Sequence, residues 1–499
     1  MKKLLFPAAV VALGSVAVAT VAPRLAPTTP VGEFEGNGGE AAVLPTNQTT
    51  TPAGTTVRFD LDRPKDAAWS PDGARLAVLG QRGATVLDGA GTAVAKVPFP
   101  TGPLGIAWLP TGDRIVASGK DGRVLVLRMD AGGWRKESEI VLDAVGPAGE
   151  PDVAAGTAGR GRERNDPQVA GLAVHPDGRR LYAALGIRNV VVEVDLTAGR
   201  VVRGTPVDTA PYHVALSPDG GRLAVSCRGG SVAADGELSA PSAGTRVRVD
   251  PTTDAALSGS VSFVDTNTMR VAATGLGVRQ PSGIAFAADG ATAWVAGSDD
   301  DTLAGFWVAD GVRVRSIDLR PKADPGYGQI PTSVVLDAGG TRAWVACGGA
   351  NAVVAVDLTR GRVVGRVPTG WFPIALAGRP GGLAVACTKG TGGRVRRADG
   401  AYGVHSTRGL VQLLGSAELS DRAVRDGDRQ VARNNREGMR SLAARRDRAP
   451  VPVPERVGEP SVFKHVVFIV KENQTYDSML GDLRPGNGDP RFCLFPEEV

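Results

Sequence analysis

The chain has 499 residues, with 57 Lys and Arg against 52 Asp and Glu, a net charge of +5. Its 67 Gly and 35 Pro exclude a helix-rich architecture, while an apolar content of 42% is too high for wholesale disorder. The small, evenly spread basic excess gives no argument for a nucleic-acid partner, four Cys are too few for a disulfide scaffold, and four His leave little for a histidine-based metal site.

At the N-terminus, Lys2 and Lys3 precede a nearly unbroken run of apolar and small residues over 4–21, and Ala17-Val18-Ala19 offers a small-x-small cleavage site. This is the pattern of a secretory signal peptide over 1–22, which predicts an exported protein, periplasmic or secreted. Left uncleaved, the same run would tether the protein to a membrane; otherwise no integral membrane protein is expected. Residues 23–54 are rich in Pro, Thr, Gly and Asn and read as a flexible tether.

Next comes an internal repeat. Pro and Gly recur nine residues apart at Pro64 and Gly73, Pro103 and Gly112, Pro211 and Gly220, Pro281 and Gly290, Pro331 and Gly340, and Pro373 and Gly382. A seventh copy keeps the register with Val169 in the Pro place and Gly178 at its end. Each copy holds a short apolar strand, then a turn such as Ser70-Pro71-Asp72-Gly73, in which Pro presets φ, Asp bonds to nearby backbone and Gly accepts a positive φ. A second strand, a third, a Gly-containing hairpin such as Asp195-Leu196-Thr197-Ala198-Gly199, and a fourth strand follow. Four strands in about 40 residues, repeated seven times, predict an all-β, seven-bladed β-propeller over 55–416. The last unit has only three strands, and an orphan strand over 55–60 precedes the first. The orphan is expected to complete the last blade and close the ring, which removes the exposed edges of an open one.

Some units carry insertions. Those at 228–258 and 388–408 follow second strands, and those at 145–168 and 320–330 follow fourth strands, so all four are expected on one face of the disc, the usual place for binding loops. Loop 388–408 carries Lys389, Arg394, Arg396, Arg397 and Arg408 against one Asp, a composition that suits either an anionic surface or plain solvation. Cys227, Cys347 and Cys387 end second strands and read as buried thiols, with a Cys347–Cys387 disulfide the alternative; Cys493 stands apart in the tail. Asp299-Asp300-Asp301 could hold Ca²⁺ or form a solvated hairpin. His213 lies near the start of an inner strand, facing the channel or packed in the core. Trp69, Trp108, Trp294 and Trp344 recur at blade positions and read as packing.

Residues 417–463 form a linker, charged at first and then Pro-rich. Over 417–448 nine Arg face six acidic residues, consistent with a surface helix interrupted by Gly427 and Gly438. Finally, His465 to Val470 form an apolar run suited to a buried strand, and Glu472-Asn473 lie just beyond it, where open α/β sheets place ligand groups.

Two resemblances follow. The blade pattern resembles the YVTN-type seven-bladed propellers of exported bacterial proteins. The run Lys464-His465-Val466-Val467-Phe468-Ile469-Val470-Lys471-Glu472-Asn473-Gln474-Thr475-Tyr476-Asp477 is similar to the opening of the alkaline-phosphatase-like phosphoesterase family of bacterial phospholipases C and acid phosphatases, with Gln474 where Arg is usual. Gly486-Asn487-Gly488-Asp489-Pro490 and the Pro-rich connector also fit members fused behind a propeller. This resemblance implies an α/β phosphoesterase fragment over 464–499, a divalent metal ion, and Glu472 and Asn473 as two of its ligands. Only 36 residues run from Lys464 to Val499, whereas such a domain needs about 150 to bury its sheet. The family's nucleophile and remaining ligands come later in its chain, so no catalytic residue is assigned, the metal is not expected to be held stably, and the fragment is expected to be inactive alone.

The leading expectation is an exported propeller that acts as a recognition or docking scaffold, with the missing phosphoesterase portion docking on the face that bears the long loops. One alternative is a phosphoesterase, a hydrolase acting on ester bonds, active when a separately encoded remainder completes it. Another is a standalone propeller enzyme such as a lactonase, for which no convergent set of His, Asp and Glu is visible.

Overall fold

The computed structural model describes residues 34–36, 40–44, 46, 48–142, 166–242, 245–321, 328–392, 406–438, 442–456, 458–467, 476–483 and 490–494. The chain divides into two units, 1–438 and 439–499. The expected signal peptide lies outside the described residues, and among those described no helix is long and apolar enough to cross a membrane.

The first unit is a seven-bladed β-propeller of four-stranded antiparallel sheets. Blades 1 to 6 span 66–98, 101–141, 169–206, 209–278, 281–318 and 331–368. Blade 7 takes three strands from 371–414 and its fourth from the N-terminus: β1 (Thr55–Asp60) pairs antiparallel with Arg408–Leu414, from Asp60 opposite Arg408 to Thr55 opposite Leu413. Arg408 Nε also donates to Asp60 Oδ1 at 2.8 Å. The ring therefore closes as expected, and Phe59 and Val411 join Ala67, Leu76 and Val78 of blade 1 in one buried cluster across the seam.

The turns after the inner strands follow their local chemistry. Ser70 Oγ accepts from Arg75 N at 2.9 Å while Gly73 N returns to Ser70 O, and Ser217, Gly220 and Arg222 repeat the arrangement. The anchor glycines have φ between 62° and 75° in six copies. In blade 7 the left-handed residue is Gly381 rather than Gly382, because Pro380-Gly381 closes a tight two-residue hairpin in which Arg379 pairs with Gly382.

Three expectations are corrected here. The tether 23–54 is ordered over part of its length: strands Glu40–Val43 and Thr49–Thr50 pair, and Ala42, Val43 and Leu44 are buried. Gln48 Nε2 donates to Gly349 O and Asn435 Oδ1, and Ala53 O accepts from the buried Gln412. Composition obscured the apolar run 41–44.

Second, Gly427 does not interrupt the linker helix. Helix α1 (Asp421–Asn434), capped by the Ser420 side chain, runs through it and covers the outer edge of blade 6, strand β2 (Arg362–Pro368). A Cβ on Gly427 would stand 2.4 Å from Arg366 O, so the glycine permits the close approach. Val424 and Val431 are buried in that interface, and the buried Arg366 guanidinium donates to Asp428 and, in a bidentate pair, to Glu437.

Third, all four cysteines are free thiols in this structure, with Cys227, Cys347 and Cys387 buried, so no Cys347–Cys387 bridge is formed.

In the second unit, Arg445 binds Glu459 and Glu455, and Val451 bridges Ser461. A short helix, Tyr476–Leu480, follows. Of the expected buried strand, His465, Val466 and Val467 are exposed and not in a strand, and 468–475 lie outside the described residues. Among the described residues this unit offers them no sheet to join, and an isolated strand is not stable in water.

The closeness of α1 to β2 predicts the cost of filling that space. Gly427→Leu should destabilise the protein by about 1–3 kcal/mol, read as a lower denaturant midpoint at unchanged slope. An unaltered midpoint would mean that the helix does not bear on the blade.

Candidate functional site: the channel mouth on the insertion face

Inner strands begin, and second and fourth strands end, on the same face of the disc. That face therefore carries the 228–258 insertion and one mouth of the central channel; most of the 145–168, 320–330 and 388–408 insertions lies outside the described residues. The 228–258 insertion contributes a described hairpin, Ser239–Ser242 with Thr245–Arg248. It borders an open cleft of about 650 Å³ lined by Asn189, Thr209, Val232, Asp235, Glu237 and Arg246 among others.

The mouth is built on strained backbone. The residue before each anchor is left-handed in five blades: Gln168, Ala210, Gln280, Ile330 and Phe372, with φ of 48° to 60°. Such a conformation costs on the order of 1–3 kcal/mol at a non-Gly residue, so surrounding contacts must hold it. Three of the five are held by one device. Asn189 Oδ1 accepts from Ala210 N at 2.9 Å, Asn351 Oδ1 from Phe372 N at 2.9 Å, and Asp301 Oδ1 from Ile330 N at 3.1 Å. The acceptors are themselves left-handed residues in the second-to-third-strand turn of the preceding blade. Each blade thus fixes where the next inner strand starts. Sequence reasoning missed this device, although its signal, Asn or Asp just before a third strand, was present.

Two residues into the inner strands, the blades meet. Asp66 Oδ2 accepts from Gly105 N and Ile106 N of blade 2, and Ser333 Oγ from Leu376 N of blade 7. Gly283 at the equivalent position has no room, since a Cβ would stand 2.6 Å from Ser333 Cα. Burial pushes the Asp66 carboxyl up to about 6, against amide bonds that pull it down. His213 occupies the same position in blade 4; its Nδ1 is buried with no partner and burial pushes the imidazole down to about 4, which keeps it neutral at pH 7. It is a packed histidine.

Cations lie on both sides of blade 1: Lys65 reaches blade 2, and Lys389 belongs to blade 7. Lys65 Nζ donates to Thr101 Oγ1 at 2.8 Å and Gly102 O at 2.9 Å, and burial lowers its pKa. Lys389, at the end of a second strand, lies over the Trp371 ring at 4.6 Å and near that of Phe372 at 5.8 Å. Burial lowers its pKa too, and the Arg63 charge lowers both. The nearby Asp62 carboxylate is engaged by backbone, accepting from Arg63 N at 2.8 Å and Gln81 N at 2.6 Å. In blade 4, Arg228 stacks 3.3 Å over Tyr212.

The remaining candidates fall elsewhere. Asp299-Asp300-Asp301 do not converge: Asp300 binds Arg279 through its backbone N and Nε, while Asp301 turns inward to Ile330. Trp69 and Trp108 pack and donate across blades, to Ala377 O and Ala68 O. Glu472 and Asn473 lie outside the described residues. A carboxylate and an amide oxygen suit a hard cation but are too few to hold one, and among the described residues no group of three His, Cys, Asp or Glu converges, so no step through a metal is derived.

Compared with known proteins, the chain matches no family model and no curated sequence. Among solved structures it is similar to a chain of hydrazine synthase from Kuenenia stuttgartiensis, with a TM-score of 0.52 and 17% identity over 73% of this chain and 98% of that one. At that identity the likeness shows the fold alone.

Removing the Asp66 carboxylate leaves two inner-strand amides without an acceptor. Asp66→Ala should lower stability by about 1–3 kcal/mol. Because the folded carboxyl holds its proton up to about pH 6, above its unfolded value, the wild type loses stability from this group as pH rises through that window. The penalty of Asp66→Ala should therefore be larger near pH 4 than above pH 7; a pH-independent penalty would contradict the assignment.

Proposed function

We propose that this chain is an exported propeller of the YVTN type that acts as a recognition and docking scaffold, and that residues 464–499 open a metal-dependent phosphoesterase domain. Glu472 and Asn473 would supply two of its metal ligands. The partner that docks on the insertion face is the remaining portion of that domain. The observation that carries this reading is the combination, on one face of a closed ring, of the described 239–248 hairpin with a mouth at which Lys389 lies over Trp371. A ring tied blade to blade by side-chain and backbone bonds presents such a face with little rearrangement, which lowers the entropic cost of binding. The phosphoesterase part rests on the motif ending at Asp477 and on the Pro-rich connector before it.

The test is hydrolysis of an aryl phosphate with added divalent metal. The 499-residue chain alone should give no turnover. The chain supplied with a phosphoesterase domain that lacks its own opening segment should turn over, and Glu472→Ala should abolish that activity. Turnover by the 499-residue chain that survives Glu472→Ala would overturn the reading.

A further inference from the structure

We infer that the cleft between blades 4 and 5, on the face opposite the insertions, is a carbohydrate site in which Trp307 is the platform for one pyranose ring. The blade repeat singles this residue out. In blades 1, 3, 4 and 6 an Arg that opens the second strand lies opposite an Asp that closes the third: Arg75 with Asp88, Arg180 with Asp195, Arg222 with Asp265 and Arg342 with Asp357. Each of these Asp also accepts from backbone amides of the hairpin that follows. Blade 5 has Thr292 opposite Trp307 instead, and its hairpin is tied by Asp310 Oδ1, which accepts from Val312 N at 2.9 Å. Trp307 therefore has no part in the turn, and of the seven Trp in the chain it alone is exposed.

The ring stands on fixed backbone. Trp307 N donates to Val312 O at 2.8 Å and Gly311 N to Trp307 O at 2.9 Å. Gly311, with φ 74°, brings the hairpin so close to the outer strand of blade 4 that a Cβ there would stand 2.5 Å from Thr274 O. Trp307 and Asp310 form one wall of a cleft of about 710 Å³, and Asp219, Arg222 and Asn267 of blade 4 form the other. That volume suits a small ligand, for which roughly 300–1,000 Å³ is usual. The blade 4 wall has unspent polar groups among the described residues. Asp219 uses only Oδ1, on Ser217 Oγ at 2.6 Å and Gly221 N at 3.0 Å. Arg222 uses only one terminal nitrogen, on Asp265 and Gly221 O. The Asn267 side-chain amide has no partner, since its bonds run through its backbone N and O. A pyranose matches both walls. Its C–H face is apolar and weakly positive, which suits the negative face of an indole, and its hydroxyls both donate and accept, which suits a carboxylate, an amide and a guanidinium together.

The cleft lies on the other face from the proposed docking surface, so sugar binding and docking stand or fall separately. The full chain is titrated with the methyl pyranosides of glucose, galactose, mannose and N-acetylglucosamine, followed by saturation-transfer NMR on the sugar signals and by tryptophan fluorescence. Saturable binding of at least one pyranoside is expected. Sorbitol, which carries hydroxyls but no ring face, should not bind. Trp307→Asp, which installs the residue of the other blades, should leave the melting temperature unchanged and abolish the NMR response. Asn267→Ala should weaken binding about tenfold; if Trp307→Asp fails to fold, Asn267→Ala decides alone. Lys120→Gln, at a turn of blade 2, should bind as the wild type does. No saturable response to any of the four pyranosides, equal binding of sorbitol, or equal responses in the wild type and Trp307→Asp would overturn the proposal, as would binding of adenosine with none of the sugars.

Discussion

The pairing of Thr55–Asp60 with Arg408–Leu414 is the constraint on which the rest of the first unit depends. A propeller blade cannot bury both of its faces alone; it does so against two neighbours, and the ring gives every blade two only when it closes. The closing contact brings together residues about 350 positions apart, so its loop-closure cost is among the largest in the unit. Its reward is the seam in which Phe59, Val411 and Ala377 pack against Leu76 and Val78. Gln412 extends the closure, bonding to Ala53 O and Gly370 N, so the segment that precedes β1 is held by the same strand.

Closure also shapes the mouth at its seam. Arg63 follows β1, and its Nε donates to Thr407 Oγ1, beside the third strand of the last blade, a contact that only the completed ring allows. Elsewhere the mouth is shaped by left-handed residues that side-chain acceptors from the previous blade hold in place. The same interblade bonds that stabilise the ring thus set the geometry of its binding face. On the opposite side of blade 6, α1 lies against β2 through the Gly427 gap and the Arg366 ion pairs, shielding one outer edge that would otherwise offer unpaired backbone.

What could be read in advance was what local chemistry determines. The turn at Ser70-Pro71-Asp72-Gly73 and its relatives marks the end of each inner strand, and counting strands against those marks exposed both the missing strand of blade 7 and the orphan at 55–60. What could not be read was what tertiary contact decides. Gly427 looks like a helix breaker until the carbonyl of Arg366 is placed beside it. Ala42, Val43 and Leu44 look like part of a polar tether until blade 6 and α1 offer Gln48 its partners. His213, a conspicuous residue in the sequence, is explained by burial.

The account stands on ring closure by β1, and native-state hydrogen exchange measures it directly. If closure holds the whole propeller, the amides of Thr55–Asp60 and Arg408–Leu414 should exchange only by the global opening that also releases the inner strands, with the same denaturant dependence. Fast exchange of 55–60 under native conditions, while the other blades stay protected, would contradict the account.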